Sequence, residues 1–235
     1  FEPTALFLTW QRDPTTTMTV QWVGSEADGA NRSVWYARKG SQEWQSKKHS
    51  SRRFPSSDNW ILRAELTGLH PDTEYAFRIG TDSAEQYFRT MPAKDTNPIQ
   101  FVSGGDCGVG DHPRQTNKLA AAQAPGFVIL GGDLAYENGD DPDRFLEFLI
   151  NYSRDLRLDG GRLIPLVACI GNHEVVRRYG QTRKEAPFFY SVFDGLFPET
   201  GYAALDFGQY MSLVFLDTNH TSPIGGAQTD WLART

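Results

Sequence analysis

The sequence holds only two cysteines, Cys107 and Cys169, among 235 residues, so a disulfide framework is excluded and the redox compartment stays open. It lacks any apolar run near the ~20 residues that cross a bilayer, and no membrane is expected as a partner. It also lacks a basic excess. A net charge of -6 and a pI of about 5.4 leave no field of the kind duplex nucleic acid requires, so nucleic acid is not expected either. A phosphate-bearing ligand would have to be drawn by a local charge, such as a metal ion. Internal repeats and low-complexity tracts are absent as well. The chain opens on Phe1 rather than Met, which raises the expectation of an upstream segment removed by processing or truncation.

What is present is apolar surface, with hydrophobic residues at 39% and aromatics at 13% distributed along the whole chain, enough for packed cores. Residues 1–92 read as seven short alternating strands between turn clusters, beginning Ala5 to Trp10 and ending with EQYFRT, which suggests a β-sandwich. The segment 93–98 is polar and proline-bearing and is read as a linker. From 99 to 235 the rhythm becomes mixed. IQFVSGGD, GFVILGGD and LIPLVACIGNHE read as buried strands, TNKLAAAQAP and DRFLEFLINYSRDL as helices between them. That alternation is the pattern of an α/β layered domain. YAALDFG and MSLVFLDT then read as an antiparallel pair, followed by a helical start in GAQTDWLART.

Three of the apolar strands end in glycine followed by a metal-ligand type: Gly105 and Asp106, Gly132 and Asp133, Gly171 and Asn172. Each pair alone is an ordinary turn. Ligands in open α/β sheets gather beyond the carboxyl ends of strands, so together the three can converge on one site.

The longer motifs carry a resemblance. GLHPDTEY, Gly68 to Tyr75, is similar to the turn and tyrosine corner of fibronectin type III domains, with Trp22 placed like that family's core tryptophan; an unrelated sandwich is the alternative. GGDCG at 104–108, GGDLAY at 131–136 and GNHE at 171–174 resemble the first three signature blocks of the purple acid phosphatases, within the calcineurin-like metallophosphoesterases. Most metallophosphoesterases place a histidine where Gly108 stands; the purple acid phosphatases lack it and use a tyrosine at the position of Tyr136. The resemblance implies an α-β-β-α layered domain in which Asp106 binds a first metal, Asp133 bridges two, Tyr136 binds the first as phenolate and Asn172 binds the second. It implies Fe(III) with a divalent iron, zinc or manganese, consistent with hard oxygen donors and with the charge needed to ionise a phenol. His173 would be the catalytic, substrate-side histidine, with Asn172 also near the phosphate, and Glu174 would orient it or a neighbouring backbone group.

The other histidines carry less. His112 reads as a surface or helix-start residue, His220 as a residue that could reach the site's edge, His49 and His70 as part of the sandwich, and Cys107 as a spacer between Asp106 and Gly108. Sequons begin at Asn31, Asn151 and Asn219, candidate glycosylation sites in a secreted eukaryotic protein.

Two further family blocks, Val-x-x-His and Gly-His-x-His, do not occur in this sequence. The expectation is therefore a metallophosphoesterase domain incomplete at its C-terminus, with the remaining histidine ligands supplied by a further segment or a partner chain, and little activity from this chain alone. The complete protein is expected to hydrolyse small phosphate monoesters, secreted or periplasmic. A phosphodiesterase with the same centre is an alternative, as is a non-catalytic binding or adhesion protein with a vestigial phosphatase domain.

Overall fold

The structure is a computed structural model describing residues 1–29, 32–95 and 98–235. Eight strands form the amino-terminal part: β1 (Ala5–Thr9), β2 (Met18–Gly24), β3 (Ser33–Arg38), β4 (Gln45–Lys48), β5 (Ser50–Arg53), β6 (Trp60–Leu66), β7 (Glu74–Ile79) and β8 (Gln86–Arg89), with one helical turn, α1 (Glu26–Gly29). They pair antiparallel into two sheets of four, ordered β1-β2-β6-β5 and β4-β3-β7-β8. This is the expected sandwich with one more strand than the sequence suggests. The addition, β5, is SSRR; nothing apolar marks it, and it exists because its backbone pairs along β6. The Tyr75 hydroxyl accepts from His70 N–H at 2.9 Å, and its ring stacks on Phe88 at 5.3 Å, closing the corner before β7.

Every residue of β1 and β2 is buried, so these strands do not alternate between core and solvent. The cause lies in the second half of the chain, which covers their outer face. There β9 (Phe101–Gly104), α2 (Asp111–Ala122), β10 (Phe127–Leu130), α3 (Pro142–Asp155) and β11 (Leu166–Ala168) build a parallel sheet ordered β11-β10-β9. Asp141 caps α3 by accepting from Arg144 N–H at 3.0 Å, Pro142 supplies a first residue that needs no partner, and Phe145, Phe148, Leu149 and Tyr152 form its buried stripe. Two single 3-10 turns (Asn172–Glu174 and Arg183–Glu185), a short helix α4 (Pro187–Phe193), the hairpin β12 (Ala203–Phe207) and β13 (Met211–Phe215), and α5 (Ala227–Leu232) complete the described elements.

Two details differ from expectation. The strand at 101–104 is not buried: Phe101 is 43% exposed, because β9 is the sheet's edge. The helix preceding β10 begins at Asp111, a turn earlier than its apolar pattern indicates.

The two halves share one continuous core. Phe54 meets Phe145 and Phe188, Trp10 meets Phe127 and Phe207, and Leu6 N–H donates to Ser153 Oγ at 2.8 Å. Asp194, just after α4, takes both guanidinium nitrogens of Arg52 at 2.5 Å and Arg63 at 2.7 Å. Burial alone would push the Asp194 carboxyl up, but the Arg52 hydrogen bond and the charges of Arg63 and Arg52 leave it below the usual carboxylate range. Thr96 and Asn97, within the segment read as a linker, lie outside the described residues.

Candidate metal centre

The three strand-end loops lie side by side. Asp106 N–H donates to Gly132 O at 3.1 Å, Cys107 N–H to Asp133 O at 2.9 Å and Gly108 N–H to Leu134 O at 2.9 Å, so the first loop continues the β9–β10 pairing past the sheet. The third loop is held by two close approaches. Gly132 has φ +103°, and a Cβ there would stand 2.6 Å from Gly171 Cα; a Cβ on Gly171 would fall on the backbone nitrogen and carboxylate of Asp133. Both positions admit only glycine.

Glu174 locks this arrangement. It is fully buried, and its carboxylate accepts from Asp133 N–H at 2.8 Å, Leu134 N–H at 2.7 Å and Gly171 N–H at 2.7 Å, tying the second loop to the third. Its expected role, orienting a neighbouring backbone, is thus seen for three donors rather than one. Burial pushes its carboxyl up to about 7, against the pull of those N–H groups. Beside it Glu137, 1% exposed and, among the described residues, with no hydrogen-bond partner for either carboxyl oxygen, is pushed up to about 9 by burial and by Glu174.

Left-handed backbone marks the polar side chains themselves. Asp106, Asp133, Tyr136 and Asn138 have φ of 50°, 53°, 63° and 53°, a conformation that costs free energy in any residue with a Cβ and collects at functional sites. The Tyr136 hydroxyl donates to Asp106 Oδ1 at 2.6 Å, and this bond, with burial and nearby carboxylates, pushes the phenol up to about 12. Asp133 Oδ1 accepts from His173 N–H at 2.9 Å. The His173 ring lies over Tyr136 at 4.3 Å, and its Nδ1 stands 2.7 Å from Asn138 Oδ1. An amide oxygen can only accept, so Nδ1 is the donor of this bond. Asn172 Oδ1 accepts from the Tyr179 hydroxyl at 3.5 Å.

Asp106, Asp133, Tyr136, Asn172 and His173 are thus brought together by the fold. Asn138 and Tyr179 were not anticipated, because their contacts span 35 and 7 residues and no local pattern announces them. His112 lies exposed in the first turn of α2, away from these contacts. The Cys107 thiol packs against the apolar core and is pushed up to about 11, chiefly by burial, which suits a spacer. His220 is buried and stacks on Tyr179 at 5.0 Å, so it reaches the edge through that ring. His49 lies against Trp22, and His70 caps the tyrosine corner, both within the sandwich.

Among the sequons, Asn31 lies outside the described residues. Asn151 is corrected: it is 5% exposed inside α3, its amide donating to Val109 O at 2.9 Å and accepting from Arg154 at 2.6 Å, which leaves no room for a glycan. Asn219 is exposed, at φ +73°.

The donor set of two carboxylates, a phenol and an amide is all oxygen and fits a hard, highly charged cation. Among the described residues no three His, Cys, Asp or Glu side chains group as a metal site.

Comparison with known proteins agrees with this geometry. The family model described as calcineurin-like phosphoesterase matches residues 81–233. The chain belongs to the calcineurin-like phosphoesterase family. Residues 3–92 match the model described as purple acid phosphatase, N-terminal domain. Three Arabidopsis thaliana relatives share its sequence at moderate identity. Purple acid phosphatase 23 is 26% identical over 199 residues, 73% of this chain and 40% of the relative. Purple acid phosphatase 15 is 30% identical over 139 residues, 49% and 26% of the two chains, and purple acid phosphatase 5 is 25% identical over 181 residues, 73% and 45%. This phosphoesterase chain therefore spans less than half the length of these curated relatives.

Proposed function

We propose that the full-length protein hydrolyses small phosphate monoesters at a dinuclear centre to which this chain contributes Asp106, Asp133, Tyr136 and Asn172. The observation that carries the proposal is the convergence of three strand-end loops on these side chains, with Tyr136 bonded to Asp106 at 2.6 Å in a chain of this family. Asp133, between the first and third loops, is the natural bridging carboxylate, and Asn172 offers its amide oxygen to the second ion. The remaining histidine ligands would come from a segment or chain outside this sequence.

Bound metal ions would supply Lewis-acid polarisation of the phosphoryl oxygens and an activated water. A phenol ordinarily titrates near ~10 and so binds deprotonated only beside a strongly charged cation, which supports Fe(III) at Tyr136 with iron, zinc or manganese as the divalent partner. The chain's own residues do the rest. Asn138 accepts a hydrogen bond from the Nδ1 proton of His173, and Nε2, once protonated, can donate to a phosphate oxygen or hand its proton to the departing alcohol. Glu174 keeps the Asp133 and Gly171 backbones immobile, so the donors need no rearrangement. We also read the sandwich as fibronectin type III-like, supported by its sheet orders and the Tyr75 corner, and the protein as secreted or periplasmic, in keeping with the family.

Turnover of mono- and diester model substrates by the full-length protein tests the proposal. Monoester preference and a visible charge-transfer band lost in Tyr136→Phe are expected; diester preference, or an iron-loaded protein with no such band, would overturn it.

A further inference from the structure

The loop from Val175 to Gln181 has no part in the chemistry above, yet it leaves the site directly after Glu174. Arg177 and Arg178 have φ of 62° and 70°, and Tyr179 N–H donates back to Arg177 O at 2.9 Å. A three-residue turn with positive φ at its centre is the rare, strained γ-turn, and neither arginine has the freedom of glycine. The surroundings enforce it. Val176 N–H donates to Glu185 O at 2.8 Å, Gly180 N–H to Asn219 O at 2.7 Å and Gln181 N–H to His220 O at 2.9 Å, while Gln181 Nε2 holds Tyr179 O at 2.8 Å.

The result of this strain is the position of one ring. Tyr179 is 51% exposed, with one side against His220 at 5.0 Å and an interplanar angle of 28°. His220 is itself buried and fixed on three sides: its N–H donates to Asp217 Oδ1 at 2.7 Å, Nε2 lies 3.0 Å from Thr218 Oγ1, and Nδ1 lies 3.2 Å from Arg178 O. The Tyr179 hydroxyl reaches Asn172 Oδ1 at 3.5 Å. An aromatic ring is thus held rigid at the rim of the candidate centre, backed on one face and open on the other. Arg177 and Arg178 are exposed beside it, and among the described residues neither guanidinium has an acidic partner within 4.0 Å. A rigid aromatic face costs little entropy to bind against, and the positive charge beside it, which for Arg177 is also felt by Glu185, draws an anion towards it.

We propose that Tyr179 is the leaving-group platform of this site: the open face of its ring stacks on an aromatic alcohol of the substrate, and Arg177 and Arg178 attract the anionic ester to the rim. The proposal rests on the phosphoesterase function above and adds the substrate class, aryl phosphate monoesters. Tyr179 makes and breaks no bond; it is a specificity residue. Aryl esters also leave more easily by their own chemistry, so the decisive quantity is the change on substitution, not the aryl-to-alkyl ratio of the unaltered protein.

In the full-length, metal-loaded protein, Tyr179→Leu is expected to lower kcat/KM for phenyl phosphate by roughly three- to tenfold, the size of one aromatic stacking contact. Glycerol phosphate should change by less than about twofold on the same scale, and Tyr179→Phe should retain the aryl preference. Phenylphosphonate and methylphosphonate, which are not hydrolysed, give a binding readout: Tyr179→Leu should weaken only the former. An equal loss on both esters would overturn the proposal by making Tyr179 a support for Asn172, and no loss on either would overturn it too. A protein that turns over neither ester, yet loses phenylphosphonate binding selectively in Tyr179→Leu, would refute the phosphoesterase function and leave the platform standing.

Discussion

Replacing Glu174 by glutamine removes a charge and one acceptor from a buried carboxylate that serves three backbone donors. Oε2 accepts from Asp133 and Gly171, Oε1 from Leu134. The better orientation of the amide keeps its oxygen on the first two and turns its NH2 towards Leu134 N–H, leaving that donor unpaired and buried. An unsatisfied buried N–H costs ~1–3 kcal/mol, and the two surviving bonds lose their charge assistance, worth ~1 kcal/mol each. Relief from burying a charge offsets part of this, as the upward shift of Glu174 to about 7 indicates. The net expectation is a loss of ~2 kcal/mol, or ~4–8 °C in Tm for a chain of this size. Urea unfolding of the metal-free chain measures it, with an unchanged m-value as the sign that only stability moved. A change below ~0.5 kcal/mol would refute the view that Glu174 holds the second and third loops together.

Three other outcomes are expected. Gly171→Ala places a methyl on Asp133, so it should lose ~2–3 kcal/mol in the same assay and weaken metal binding in the full-length protein; wild-type behaviour would contradict the close approach. Because the folded Asp194 carboxyl sits below its ordinary value of 3.8, its pairing with Arg52 and Arg63 is fully present above that pH and is lost as pH falls through the lower folded value. Stability measured below about pH 4 should therefore fall more steeply in the wild type than in Asp194→Asn; equal slopes would remove the bridge from the account. If the protein is made in a glycosylating secretory host, peptide mass spectrometry should find sugar at Asn219 and none at Asn151, and folded material glycosylated at Asn151 would contradict its burial.

The parts legible in the sequence are those written locally. An apolar run closed by glycine and an acid says where a strand ends and what stands there, which is why Asp106, Asp133 and Asn172 could be grouped before the fold was known. Tyr136 has no such signature; only the resemblance of the whole block singled it out. β5 was invisible because SSRR becomes a strand through its partner β6, not through its own side chains. The seven-residue α4, PFFYSVF, is buried along six of its residues and so carries no helical periodicity. Asn138 and Tyr179 act across loops: their chemistry is set by which side chain or ring lies opposite, and polar residues in a turn look alike until the turn is folded.

The measurement that bears most directly on the central claim is the metal content of the full-length protein, wild type against Asp133→Asn, with monoester hydrolysis followed on the same samples. The expected result is an iron-containing pair of ions in the wild type, and in Asp133→Asn the loss of at least one ion together with most of the activity, since a bridging carboxylate serves both. An Asp133→Asn protein that keeps both ions and full turnover would contradict it.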